Sequence, residues 1–372
     1  MTSTDITAGT PDHPDAPGGI VYERHPFGVT SAGEPVERWI MDDGTLRISV
    51  LTLGGNIQSL EIPSGSSDER VDVVLGFDDV AGYEKTKSYI SALIGRVANR
   101  LGNSRFTLDG TEYQVSANEG PNSLHGGVDG FNKRIWAVEQ IDGGLRLSLT
   151  SPDGDQGYPG ELTVTVDYLL VPGGTFRIRY AATTSAPTVV NLTQHAYLNL
   201  GGVSGNPSND GQTLQVASGH YTPVDQALIP SGEIAHVVGT PMDLRAPQPL
   251  DFLNLDHNLV LDESEPAEDE AGHGHGHGHR HGPDLHFAAK LVHEASGRTL
   301  TLSTSEPAVQ VYTGSQLDGS DTGKGGVVYG PSAGLCLETQ NFPDAPNHAD
   351  FPSITLLPGE EYLTVTEWTF SA

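Results

Sequence analysis

Histidine and acid are the raw material for either metal ligation or proton transfer, and this chain places them in two kinds of setting. Residues 272–282 read GHGHGHGHRHG, five histidines at every second position behind an acidic run. Elsewhere single histidines stand inside ordered-looking text. His195 lies in NLTQHAYLNL, and His125 precedes two glycines in NSLHGG. Glu338 lies in CLETQNFPDAPN, and Asn99 and Arg100 close an apolar run in IGRVANRLGN. A carboxylate and an imidazole that meet can move protons in both directions near neutral pH. Several other chemistries lack their templates. There is no His-Glu-x-x-His pattern, His125 and His195 are far apart in sequence, and the single Cys336 offers no cysteine pair, so no metal ligand set is expected. The glycines around Lys324 lack phosphate-loop spacing, and no Gly-x-Ser-x-Gly elbow is present.

The elements that must hold these residues are strands. From Ile20 onward the dominant hydrophobic period is two: LRISVLTL from 46, LRLSLT from 145, ELTVTVDYLLV from 161, TFRIRYAATT from 175, TLTLSTS from 299 and AVQVYTG from 308. Forty-six glycines and 25 prolines punctuate these runs. The best helical candidate is the short stretch DDVAGYEKTKSYIS. The fold class is all-β, a large antiparallel β-sandwich whose strands carry both core and site. Alternation in NLTQHAYLNL sets Thr193, His195, Tyr197 and Asn199 on one face, a candidate polar cleft floor. The same pattern is met by a histidine satisfied inside a sheet. In LCLETQ, Cys336, Glu338 and Gln340 share a face, suited to a cleft wall or to an edge facing water. The glycines after His125 let the backbone approach something closely, or make a plain turn. Arg100 can clamp hydroxyls or pair with one of the many acids.

Bulk composition narrows the partners. The 372 residues carry 48 acidic and 19 basic side chains, a formal net charge of -29. That argues against nucleic acid and anionic membrane surfaces as partners and suits a neutral small molecule. One cysteine fits a reducing cytoplasm. Residues 1–19 lack a basic start and an apolar run, so they read as a disordered tail rather than a signal peptide or anchor. Residues 20–372 read as a single domain. Within it, residues 262–284 hold no aliphatic side chain larger than alanine and read as a solvated low-complexity insertion.

Seven stretches in order, GRVANR, NSLHGG, SPDGDQGYPGEL, NLTQHAYLNL, LDHN, VQVYTG and LETQNFPDAPN, resemble the motifs of the aldose 1-epimerases, also called galactose mutarotases. The likeness runs from about Val21 to the end of the chain. It implies a galactose mutarotase-like super-sandwich with an open sugar-binding cleft. It implies interconversion of the α and β anomers of free aldohexoses such as glucose and galactose, without a cofactor. Residue by residue, it makes His195 the general acid, Glu338 the general base, and His125 the group that helps hold the ring oxygen. It makes Asn99, Arg100, Asp256 and Gln310 the hydroxyl-binding groups.

That chemistry needs a proton taken from the anomeric hydroxyl and another given to the ring oxygen, so that the ring opens and recloses. Each positioned group contributes roughly 10²–10⁴-fold. A nearby carboxylate is expected to raise the protonated fraction of His195, and Phe342 and Tyr197 are the rings at hand for the sugar's apolar face. The alternative is a sugar-binding or sensing protein of the same fold without turnover. Glycoside hydrolysis by Glu338 with Asp256 is a third reading. The molecule is expected to be a monomer or homodimer. The histidine tract, which glycine denies a rigid frame, is expected to bind Zn²⁺ or Ni²⁺ adventitiously at most. It follows Asp256 closely enough in sequence to overhang the sugar site.

Overall fold

A computed structural model describes residues 19–65, 69–262 and 283–372. The tail and most of the insertion, residues 263–282 with the histidine tract, lie outside the described residues. The period-two runs form strands where the pattern places them. Gly144–Ser151, Leu162–Val171, Thr175–Thr184, Thr299–Thr304 and the C-terminal Tyr362–Ser371 belong to a nine-stranded sheet. The C-terminal strand lies inside that sheet, antiparallel to Thr175–Thr184 on one side and Thr299–Thr304 on the other. Leu145, Leu147, Val164, Val166, Phe176 and Ile178 point into the main core. The intervening Arg146 and Asp167 pair on the outer face at 2.7 and 2.8 Å. The helical candidate is one short helix, Val80–Lys85, capped by the Asp79 side chain on the Gly82 N–H. Among the described residues no helix is long and apolar enough to cross a membrane.

The six-stranded sheet carries the chemistry. Its strands run in the order Tyr197–Leu198, Leu335–Gln340, Ala308–Tyr312, Asp256–Val260, His220–Tyr221 and Ala235–His236. Leu259, Val309, Val311, Leu335 and Leu337 enter the main core. The opposite parity therefore faces away from that core. Register aligns Asp256, Tyr312, Cys336 and Tyr197 in one row across four strands, and Asn258, Gln310 and Glu338 in a row two residues along. NLTQHAYLNL does not form one continuous strand. It pairs as Thr193–Gln194 with Leu93–Ile94, breaks at His195 and Ala196, then pairs again as Tyr197–Leu198. His195 sits in that break, held by its own N–H on the Ala92 carbonyl (2.9 Å) and by the Ser91 N–H on its carbonyl (3.0 Å).

One buried acid lies away from this sheet's polar face. Glu306 accepts from the Tyr362 hydroxyl at 3.1 Å, and burial raises its carboxyl to about 7. A folded-state value above the unfolded one means stability that is full at low pH and lost as pH rises toward 7. Glu306→Gln removes that slope. The stability difference between variant and wild type is therefore expected to shift in the variant's favour by about 2 kcal/mol from pH 5.5 to pH 8. Urea unfolding of both proteins at the two pH values measures it, and a pH-independent difference rejects the assignment.

Candidate active site

A cleft of about 520 Å³ opens over the polar face of the six-stranded sheet, lined in part by Asn99, Arg100, His125, His195, Asp256 and Glu338. The volume is ordinary for a small-ligand site. Six of the seven residues singled out from the sequence thus line one cavity. The seventh, Gln310, is buried beneath it and donates from Nε2 to Asp256 Oδ1 at 2.6 Å. Gln310 therefore orients a lining carboxylate. Phe342 lies outside the cleft, edge-on to Phe351 in a separate core cluster, so it offers no face to a ligand there. Tyr197 does line the cleft, its hydroxyl donating to the Ser88 carbonyl at 2.9 Å.

His195 Nε2 lies 3.6 Å from Glu338 Oε1, too long for a hydrogen bond yet close enough for one bound atom group to touch both. Glu338 Oε2 is buried without a hydrogen-bond partner among the described residues. Burial drives both groups toward their neutral forms. The imidazole is pushed down to about 4, and the carboxyl is pushed well above its ordinary range by burial, with Asp256 adding to the rise. Desolvation thus outweighs the neighbouring carboxylate, against the sequence expectation that His195 would gain protonated fraction. The pair still holds one transferable proton and one vacancy, whichever group carries the proton.

His125 is fixed more rigidly. Its Nδ1 accepts the Asn99 backbone N–H at 3.1 Å, while the His125 backbone N–H donates to the Asn99 carbonyl at 2.9 Å. Burial depresses its basicity well below the ordinary value, so the ring is neutral, with Nδ1 as acceptor and the proton on Nε2. The two glycines behind it answer the question their spacing raised. A Cβ on Gly126 would lie 1.9 Å from the Gly95 carbonyl oxygen, so the close approach is to the GRVANR stretch. This is how chain segments distant in sequence bring the two histidines to 5.1 Å between ring centroids.

Sequence distance therefore says nothing against a metal at this place. Donor atoms of His125, His195 and Glu338 lie within 4.8 Å of one another. The bond from Asn99 is the relevant constraint, because it leaves His125 a proton donor where a metal needs a lone pair. Two proton-exchanging groups and one fixed donor suit an oxygen-rich organic ligand.

Sequence reasoning passed over several lining residues. Tyr89 stacks edge-on to His125 at 4.6 Å and lies 6.0 Å from His195. Glu119 holds Arg100 in a two-point ion pair, so both readings of Arg100 apply: it lines the cleft and is paired. Tyr312 was visible within AVQVYTG, but its orientation came only from register. Tyr89, Ser91, Asn99 and His125 all adopt left-handed backbone with φ of 51–58°. Three of these, Tyr89, Asn99 and His125, line the cleft, and each carries backbone strain of about 1–3 kcal/mol.

The insertion does not begin at the cleft. From Asp256 the chain runs along an extended strand to Val260, then reaches Asp262, whose N–H donates to the Ala217 carbonyl. At the ordinary strand rise that is about 20 Å from Asp256. Deleting residues 263–282 is expected to leave the sugar reaction within about twofold of wild type, since no lining residue is touched. A tenfold fall in turnover would show that the insertion acts at the site.

Comparison with known proteins closes the assignment. The aldose 1-epimerase family model matches residues 37–369. Galactose mutarotase from Homo sapiens is 43% identical over 353 residues, covering 93% of this chain and 97% of that protein. Aldose 1-epimerase from Escherichia coli (strain K12) is 34% identical over 328 residues, covering 87% and 92%. The crystal structure of an aldose epimerase homologue from C. elegans superposes with a TM-score of 0.79 at 28% identity, covering 95% of this chain and 99% of that one. With family, relatives and fold in agreement, the chain belongs to the aldose 1-epimerase family.

Proposed function

We propose that the protein interconverts the α and β anomers of free galactose and glucose, with His195 and Glu338 as its proton-exchanging pair and His125 as a fixed donor. The single observation that carries this is the His195–Glu338 pair, 3.6 Å apart, buried and facing an open cleft. In the tautomer that places the pair's proton on His195, Glu338 takes the proton of the anomeric hydroxyl while His195 delivers one to the ring oxygen. His125 Nε2–H supports that oxygen as its bond to the anomeric carbon breaks. The open-chain aldehyde turns its carbonyl and recloses by the reverse transfers, so the pair regains its starting protonation. No net redox change or leaving group is involved. Asn99, Arg100 and Asp256 orient the sugar through its hydroxyls, and Gln310 aims Asp256.

The same proposal places the protein in the cytoplasm as a monomer or homodimer, without nucleic-acid or membrane partners. The retained pair favours turnover over sugar sensing alone. The test follows the optical rotation of freshly dissolved α-galactose and α-glucose. Relaxation faster than buffer, and unchanged by EDTA, is expected. Relaxation at the buffer rate on both sugars rejects the proposal.

A further inference from the structure

We infer that Glu119 is a positioning residue that parks the Arg100 guanidinium away from Glu338 and so preserves Glu338 as a proton acceptor. The inference rests on the role proposed above for Glu338. Arg100 Nε donates to Glu119 Oε2 at 2.6 Å and Nη2 to Oε1 at 2.8 Å, the two-point geometry that fixes a guanidinium plane. The Arg100 side chain is only 7% exposed. A cation so buried must keep a counter-ion, because leaving it unpaired costs more than any surface ion pair.

Three carboxylates compete for that cation: Glu119, Asp256 and Glu338 all act on it. Asp256 is already engaged by Gln310. Glu338 has an open oxygen. Without Glu119, the guanidinium is left between Asp256, which Gln310 holds through one oxygen, and the proposed catalytic Glu338, and we take Glu338, with its unpartnered Oε2, as the acceptor it turns to. A direct Arg100–Glu338 pair would make Glu338 a weaker base and cover the oxygen that must receive the anomeric proton.

Glu119 is suited to hold its side of the pair. Its N–H donates to the Asn122 carbonyl (3.1 Å), and its carbonyl accepts the Asn122 N–H (3.0 Å). The preceding Asn118 bonds the Leu124 and Gly127 carbonyls through Nδ2 and the Leu124 N–H through Oδ1. The loop that carries His125 thus also carries the anchor for Arg100. Around Glu338, the groups that titrate or carry charge are His195, His125, Asp256 and Arg100, with Cys336, Tyr197 and Tyr312 behind them. Burial raises the last three, which stay protonated through the neutral range. Arg100 is the member of this set that Glu119 touches.

The experiment compares wild type, Glu119→Gln and Glu119→Asp. Mutarotation of α-galactose gives kcat and KM across pH. Infrared titration of the Glu338 carboxyl band, identified by its loss in Glu338→Gln, reads protonation without sugar. In Glu119→Gln, kcat is expected to fall about tenfold, and the bell-shaped pH profile and the infrared titration to move about one unit to lower pH. Glu119→Asp keeps a counter-ion and restores most of both. A rise in KM with kcat and pH profile unmoved overturns the inference, as does an unmoved infrared titration. If wild type itself fails to accelerate mutarotation, the functional proposal falls, while the infrared titration still decides which carboxylate Arg100 serves.

Discussion

Glu338→Gln is expected to lower kcat for galactose mutarotation by about 10³-fold, within the range for losing one positioned proton-transfer group. The amide keeps the side-chain volume in a fully buried strand and can still hydrogen-bond a hydroxyl. It cannot take the anomeric proton at neutral pH. The same substitution should not destabilise the fold at pH 8. Burial raises the Glu338 carboxyl far above its unfolded value, so its contribution to stability is full at low pH and is lost as pH rises through the folded-state value. Gln does not ionise and carries no such loss. Activity that collapses while the thermal midpoint at pH 8 holds or rises is the signature of a group kept for function at a cost in stability. The wild-type pH profile follows from the same pair. Protonating both groups removes the acceptor, and burial holds His195 down to about 4, so turnover is expected to persist to about pH 4 and fall below it. Removing the pair's single proton sets the alkaline limb, which belongs to the raised Glu338. A Glu338→Gln protein within a few-fold of wild type would remove Glu338 from the mechanism.

Arg96→Met is expected to cost about 3–5 kcal/mol of unfolding free energy, since each buried carbonyl left unpaired costs about 1–3 kcal/mol. Arg96 is buried at the entrance of GRVANR, three residues before Asn99. Its guanidinium donates to the carbonyls of Ser151, Pro152 and Pro159, each at 2.9 Å, and to Ser151 Oγ at 2.9 and 3.0 Å. Burial lowers its affinity for a proton only to about 10, so it stays charged at neutral pH, with the nearby Asp155 opposing the shift. Its role is to pin SPDGDQGYPGEL against the segment that presents Asn99 and Arg100. Methionine fills much of the volume and supplies no donors. Urea unfolding measures the change, and a loss below about 1 kcal/mol would show that the loop carbonyls find other partners. Because Arg96 does not line the cleft, the folded fraction of this variant should retain kcat within several-fold.

Much of the fold was legible because a half-buried strand must alternate. The runs at 145, 161, 175, 299 and 308 needed only that period to locate strands, and parity alone separated Leu335 and Leu337 from Cys336 and Glu338. The motif residues were legible too, as types in a recognisable order. Alternation fails at NLTQHAYLNL, where two strand pairings change partners and leave His195 in the gap, a matter of long-range hydrogen bonds that no local pattern encodes. Tyr89 and Glu119 were not legible. One stands in a segment notable only for its helix, and the other is one acid among 48.

By itself the sequence determined which faces of which strands are apolar, the residue types available for proton transfer, and a family likeness that spans the chain. Tertiary structure decided who meets whom and in what protonation state. His125 and His195 are neighbours because Gly126 lets one segment press against the Gly95 carbonyl. His195 is neutral and Glu338 holds its proton more tightly because burial removes water from both, a quantity that depends on the whole surrounding fold. The histidine tract, conspicuous in the sequence, lies outside the described residues. The chain leaves for it at Asp262, two residues beyond the end of the strand that carries it away from Asp256.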